Sequence, residues 1–197
     1  MNYQHLFAFF LAGFTLLLCL YNRKSNILRD LILATNKDES KEDPRPFSFA
    51  RVQLAWWSII ILSAFASVAI ATRDLPVLDS STLILLGIGV ATKGFAGAID
   101  VSDKMRNRLS KKHVQKKEHR TFLLDLMSDK NGASISRFQA IAFNAIIGVW
   151  FIIKVWNGLG DYPVVGQIIP TIDANNLALM GISAAGYLGV KTQENKP

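Results

Sequence analysis

Residues 52–72 read VQLAWWSIIILSAFASVAIAT, a run without one formal charge. A hydrocarbon layer about 30 Å thick is crossed by about 20 apolar residues in a helix. Only a helix or a closed barrel satisfies its own backbone there, because no water is present. The run therefore reads as a membrane span, and other tracts read the same way. Tyr3 to Tyr21 (YQHLFAFFLAGFTLLLCLY) carries at most a proton on His5. Phe138 to Val149 continues through WFIIKVW, with Lys154 near its far end. Leu83 to Ile99 (LILLGIGVATKGFAGAI) contains Lys93, and Leu177 to Val190 (LALMGISAAGYLGV) is short. These two either span with their flanks or form half-spans buried among the others. Counting both, the expected fold is all-α, a polytopic membrane bundle of about five helices.

Bulk composition does not decide this. The chain has 197 residues, 50% hydrophobic and 19% charged, with one cysteine. Those values are near those of a soluble protein. The distribution is what decides, because the charges gather in residues 22–51 and 100–137. A soluble globule, a disordered chain and a disulfide-built secreted domain are excluded by that pattern. The first span does not read as a cleavable leader, since no Lys or Arg precedes it and no small-residue cleavage site follows.

Orientation follows from Lys and Arg in the loops. The 22–51 and 100–137 loops and the C-terminal tail together hold nineteen of them, against Arg73 alone in the opposite loops. The N-terminus is expected outside, with both charged loops and the C-terminus in the cytoplasm. The net charge of +7 is then explained by insertion and by anionic lipid head groups. No nucleic-acid motif accompanies it, so nucleic acid is not an expected partner.

An internal repeat organises the rest. SFARVQLAWW (48–57) aligns with SISRFQAIAF (134–143), so Ser48, Arg51 and Gln53 match Ser134, Arg137 and Gln139. DSSTLILLGIG from Asp79 aligns with DANNLALMGIS from Asp173. Each unit is a hairpin that leaves the cytoplasm, turns outside and returns through a glycine-rich helix. The copies run parallel, unlike the inverted repeats of many transporters. The expected organisation is an N-terminal helix (1–21), a polar linker (22–47), hairpin one (48–100), a basic helical loop (101–133), hairpin two (134–194) and a tail (195–197).

The return helices carry stripes of small residues: Gly87, Ala91, Gly94 and Ala98 in one, Gly181, Ala185 and Gly189 in the other. In lipid such stripes let backbones approach closely. They serve one of two ends, packing the two hairpins together or lining a symmetric assembly. Thr92, Lys93 and Ser183 add polar groups, and Lys93 is the one charge well inside a span. An intramembrane charge points to function, although Lys93 is close enough to Asp100 for its amine to snorkel towards the cytoplasm. Tyr187 stands at the matching place in the second copy.

Arg51 and Arg137 oppose the helix dipole at the starts of their helices. They are expected to reach lipid phosphate or to clamp each hairpin's open end, Arg51 with Asp100 and Arg137 with Glu194. Gln53 and Gln139 are expected to find interhelical partners, and Ser48 and Ser134 to cap their helices. Trp56, Trp57, Trp150 and Trp156 read as interfacial belt residues, with Lys154 an anchor. In the second loop Lys111, Lys112, Lys116 and Lys117 precede an amphipathic patch that includes Phe122 and Leu126. That patch is expected to meet the membrane surface, the underside of the bundle or a soluble protein. Asp129–Gly132 resembles part of a calcium loop, but Phe138 stands where its bidentate Glu belongs. No metal-ligand spacing, P-loop, nucleophile elbow or cofactor motif is present, so neither catalysis nor a cofactor is expected.

The pairing of R-x-Q-x-x-x-W/F (Arg51, Gln53, Trp57; Arg137, Gln139, Phe143) with L-x-L-[LM]-G-I (83–88; 177–182) and a later Y-L-G resembles a motif set of poorly characterised bacterial inner-membrane proteins. The resemblance covers 48–194, and Lys93 and Phe95 depart from it in the first copy. It implies a bacterial inner-membrane protein and no established activity. The leading expectation is a small homo-oligomeric assembly among anionic lipids, an ion channel or pore gated through its cytoplasmic loops. The alternative is a non-conducting anchor or scaffold, for example in a defence or stress system, recruiting a soluble cytoplasmic effector through 100–137. A small transporter ranks third.

Overall fold

The computed structural model describes residues 3–29, 47–105, 121–129, 132–163 and 167–194. Among these are helices α1 (Tyr3–Ser25), α2 (Phe49–Thr72), α3 (Ser80–Met105) and α4 (Phe122–Met127). A minimal hairpin follows, β1 (Ser128–Asp129) and β2 (Gly132–Ala133), then α5 (Ile135–Gly160) and α6 (Ala174–Glu194). Apart from that hairpin the described fold is helical. Four helical segments are long and apolar enough to cross a membrane: α1, α2, α5 and Ser80–Ile99 of α3. α6 is continuous but is not one of the four, since Asn175, Asn176, Lys191 and its glycines dilute its apolar content.

The ends of the bundle are fixed by a few bonds. At one end, here called basal, the Ser48 amide donates to the Leu28 carbonyl at 2.8 Å, joining the exit of α1 to the entry of α2. At the other end, called distal, Gln4 donates to the Trp156 carbonyl at 3.2 Å, and Tyr3 meets Tyr162 edge-on. α1 thus runs antiparallel to α2 and α5. Arg73 ends α2 in the left-handed region, at φ 58°. Also at the distal end, the Ile172 amide donates to Ser81 Oγ at 3.0 Å, tying the two hairpin turns together.

Helix starts follow the aligned repeat. Asp79 Oδ2 accepts the Ser81 amide at 2.9 Å, and Asp173 Oδ1 accepts the Asn175 amide at 2.8 Å. Ser48 and Ser134 also stand at the same place before α2 and α5, but neither side chain makes a capping hydrogen bond. Their carbonyls accept Val52 and Phe138 instead.

The buried faces are offset from that alignment. Ala50, Gln53, Trp57, Ile60, Ala64 and Val68 point inward on α2; Arg137, Ala140, Asn144, Ile147, Phe151 and Val155 do so on α5. Trp57 and Asn144 lie 87 residues apart, one more than the 86 that separates Ser48 from Ser134. The return helices show the same offset. Thr82, Leu85, Thr92 and Ala96 correspond to Leu177, Met180, Tyr187 and Lys191, whereas Asp79 and Asp173 set a register one residue shorter. One residue is a rotation of about 100° around a helix. Aligned residues therefore face different surroundings in the two hairpins.

Most of the interior is one apolar cluster. α2 (Trp57, Ile60, Ala64, Val68) meets α5 (Ile147, Phe151, Val155, Leu159), closed by Phe7, Leu85 and Met180. Gly148 is required here, because a Cβ at that position would lie 2.5 Å from Trp56 Nε1. Gly148→Val is expected to destabilise by about 1–3 kcal/mol through overpacking, read as a lower thermal midpoint in detergent.

The Asp79 cap gives a pH signature. The Ser81 hydroxyl and amide, with the Ser80 amide, hold its carboxyl below the ordinary 3.8. A carboxylate depressed by folding stabilises the fold above its unfolded value, and the benefit fades as pH falls through the folded one. The loss of midpoint caused by Asp79→Ala is expected in full at pH 7 and should shrink as pH falls below 3.8 through the lower folded value.

Candidate functional site

α3 and α6 pack against each other through the inward faces just described. Their small residues mostly lie elsewhere. Gly87, Ala91, Gly94 and Ala98 are exposed on α3; Ala185 and Gly189 are exposed on α6, with Gly181 half-buried. A methyl group added at Gly87, Gly94, Gly181 or Gly189 would meet no atom within 4 Å. The stripes therefore do not join the two hairpins of one chain. That task falls to the opposite faces, while within the first hairpin Gly89 admits Leu54 of α2: a Cβ there would lie 3.2 Å from Leu54 Cδ1. The result is an outward surface on two adjacent helices, small residues set among the exposed Leu83, Val90, Phe95, Val101 and Ile182.

The polar residues of the return helices divide between the two faces. Thr92 points inward and donates to the Ile88 carbonyl at 2.7 Å. Ser183 is half-buried and donates to the Leu179 carbonyl at 2.8 Å. Lys93 is exposed, on the side of Gly94. Tyr187, its aligned counterpart, is buried at the basal end against Phe49, ring centroids 4.9 Å apart.

The basal residues part in the same way. Arg51 is half-exposed and donates to the Ile27 carbonyl at 3.0 Å. Arg137 is buried, donates to the Ser128 carbonyl at 2.6 Å, and lies over the Tyr187 ring at 5.3 Å. Gln53 is buried, with Oε1 lacking a hydrogen-bond partner among the described residues, while Gln139 is exposed. Asp100 and Glu194 occupy helical positions, but their side chains lie outside what the structure describes, as do Lys111, Lys112, Lys116 and Lys117. In α4 Leu126 is buried and Phe122 is exposed.

Two residues escaped the sequence reading. Lys191, counted there only as a tail charge, is among the most buried side chains of the chain. Asn144 was passed over as one polar residue in an apolar run. Its Oδ1 accepts the Trp57 indole at 2.7 Å, its backbone carbonyl accepts the Trp56 indole at 3.2 Å, and its Nδ2 donates to the Ala140 carbonyl at 2.7 Å. Trp57 is thus wholly buried and Trp56 half-buried, a correction to their reading as belt residues. An isolated amide in a span was the available signal, since such a group in lipid finds an interhelical partner.

No family model, curated protein or solved structure matches the chain. Its function therefore has to be argued from its own surfaces.

Asn144→Leu strands the Trp57 N–H and should cost about 1–3 kcal/mol, visible as a lower midpoint and altered tryptophan emission. Trp57→Phe combined with Asn144→Leu removes both partners and should recover part of that loss.

Proposed function

We propose that the chain is an integral membrane protein whose copies assemble through the outward face of α3 and α6 into a small pore. In this reading α6 is a fifth span and the two hairpins are tandem parallel copies. The N-terminus lies outside and the basal end in the cytoplasm, where the loops gate conduction. The charge asymmetry of the loops supports that orientation, and the motif resemblance supports a bacterial inner membrane.

The observation that carries the proposal is the exposure of Gly87, Gly94 and Gly189, with Lys93 also exposed on α3. Helix association in lipid is driven by close packing rather than by water exclusion. A smooth helix face that its own chain leaves open is a surface on which another copy can pack. Lys93 sharpens the point. A lysine at the centre of a span costs about 2.5–3.5 kcal/mol on insertion scales. Snorkelling recovers some of that, and an aqueous lumen removes the need for it.

The test joins mass and flux. Native mass measurement in detergent is expected to give an oligomer for the wild-type chain and a monomer for Gly87→Leu with Gly94→Leu. Liposomes are expected to leak ions with the first and not with the second. Lys93→Ala should preserve assembly and change ion preference. A monomeric wild-type chain, or an oligomer without flux, would overturn the pore.

A further inference from the structure

α4 is short, yet it is firmly placed. Thr121 Oγ1 accepts the Leu124 amide at 3.4 Å, and Leu126 is buried with only 4% exposed. Phe122 meets Phe47 edge-on at 4.9 Å, and Asp125 Oδ2 accepts the Phe47 amide at 3.4 Å. Phe47 is held in turn by the Arg29 guanidinium over its ring at 4.6 Å. The Ser134 amide donates to the Met127 carbonyl at 2.8 Å, fixing the other end of α4 to the entry of α5.

So anchored, α4 still leaves three consecutive apolar side chains uncovered. Phe122, Leu123 and Leu124 are 46%, 58% and 38% exposed. Ile135 and Phe138, in the first turn of α5, are exposed as well. This apolar ledge lies at the basal end of the bundle. Arg23 and Lys24 close α1 there, and the sequence leading into Thr121 is KKHVQKKEHR, with five Lys or Arg against one Glu. Apolar side chains at the same end of the bundle as Arg23, Lys24 and Arg29, and next in sequence to a basic run, match the interface of an anionic leaflet, where acyl boundary and head-group charge sit within one side-chain length.

We propose that Phe122, Leu123 and Leu124 insert into the head-group layer of the anionic leaflet at the basal end. α4 is then a ledge that sets the depth of the bundle and senses anionic lipid. The inference rests on the membrane reading above but not on assembly or conduction. A protein partner on the same ledge is the competing outcome.

The full-length chain, with Cys19→Ser, is labelled with an environment-sensitive fluorophore at Leu123→Cys or, as a control in the α2 span, at Ile70→Cys. Each is reconstituted into phosphatidylcholine vesicles with or without about 30% phosphatidylglycerol, an anionic lipid. Nitroxide lipids serve as quenchers. The Leu123 probe is expected to be blue-shifted and quenched by head-group-level nitroxide, more strongly with phosphatidylglycerol. Water-like, unquenched emission in both compositions overturns insertion. Blue-shifted but unquenched emission overturns it in favour of a protein contact. Equal quenching in both compositions overturns the anionic preference. An Ile70 probe that no nitroxide lipid reaches overturns the membrane reading itself, a failure distinct from the others.

Discussion

The two hairpins meet where Asn144 of α5 receives both indoles of α2. The rest of the arrangement depends on that contact. Trp57 and Phe151 pack edge-on beside it, ring centroids 6.3 Å apart. Gly148, one turn further, lets Trp56 lie directly on the α5 backbone. Apolar contacts alone leave two smooth helices free to slide or rotate in a lipid-like medium. Directional bonds buried among bulky rings fix both register and rotation. This seam sets which faces of α3 and α6 turn inward, because each return helix leaves its partner through a distal loop and must pack back onto it.

The helices were legible because charge is absent over long runs, and absence of charge needs no periodicity to read. The loops were legible by the same token, whereas the aspartates that start α3 and α6 were aligned with each other but not read as caps. Facing was not legible. α2 and α5 are apolar nearly all round, so hydrophobicity varies little with angle and does not mark an inward side. Identity between the copies gives a register that the helix starts obey, but the buried faces are turned by one residue. That turn makes Arg137 buried where Arg51 is half-exposed, and Tyr187 buried where Lys93 is exposed. Motif-matched residues were thus read as equivalents although their surroundings differ.

Glycine shows a second limit. A glycine in an apolar helix signals close approach, but not by what. Gly89 and Gly148 admit side chains of the same chain, while Gly87, Gly94 and Gly189 admit nothing within it. Their neighbours in sequence do not tell the two groups apart, since Gly87 and Gly89 stand two residues apart in one helix. The tryptophans carry a related ambiguity. Trp56 and Trp57 lie near a span boundary in the sequence, as belt residues do, yet Asn144 draws both indoles towards the interior. A single partner 87 residues away decides the matter.

The distribution of bulk in the bundle follows from the same seam. Its large side chains are consumed inside, where Trp57, Phe151, Leu159 and Met180 fill the space between five helices. The return helices, having Gly89, Thr92, Ala96 and Ala184 on their inward faces, approach that core closely and have few large residues left over for the outside of their basal halves. Phe95 and Val101 are the exceptions on α3, and Phe95 lies exposed beside Gly94. A chain whose best-packed surface is already internal and whose smoothest surface is external has little left to gain by tightening itself. On the reading proposed above, in which lipid rewards close helix contact, that open face of α3 and α6 is where a second copy packs.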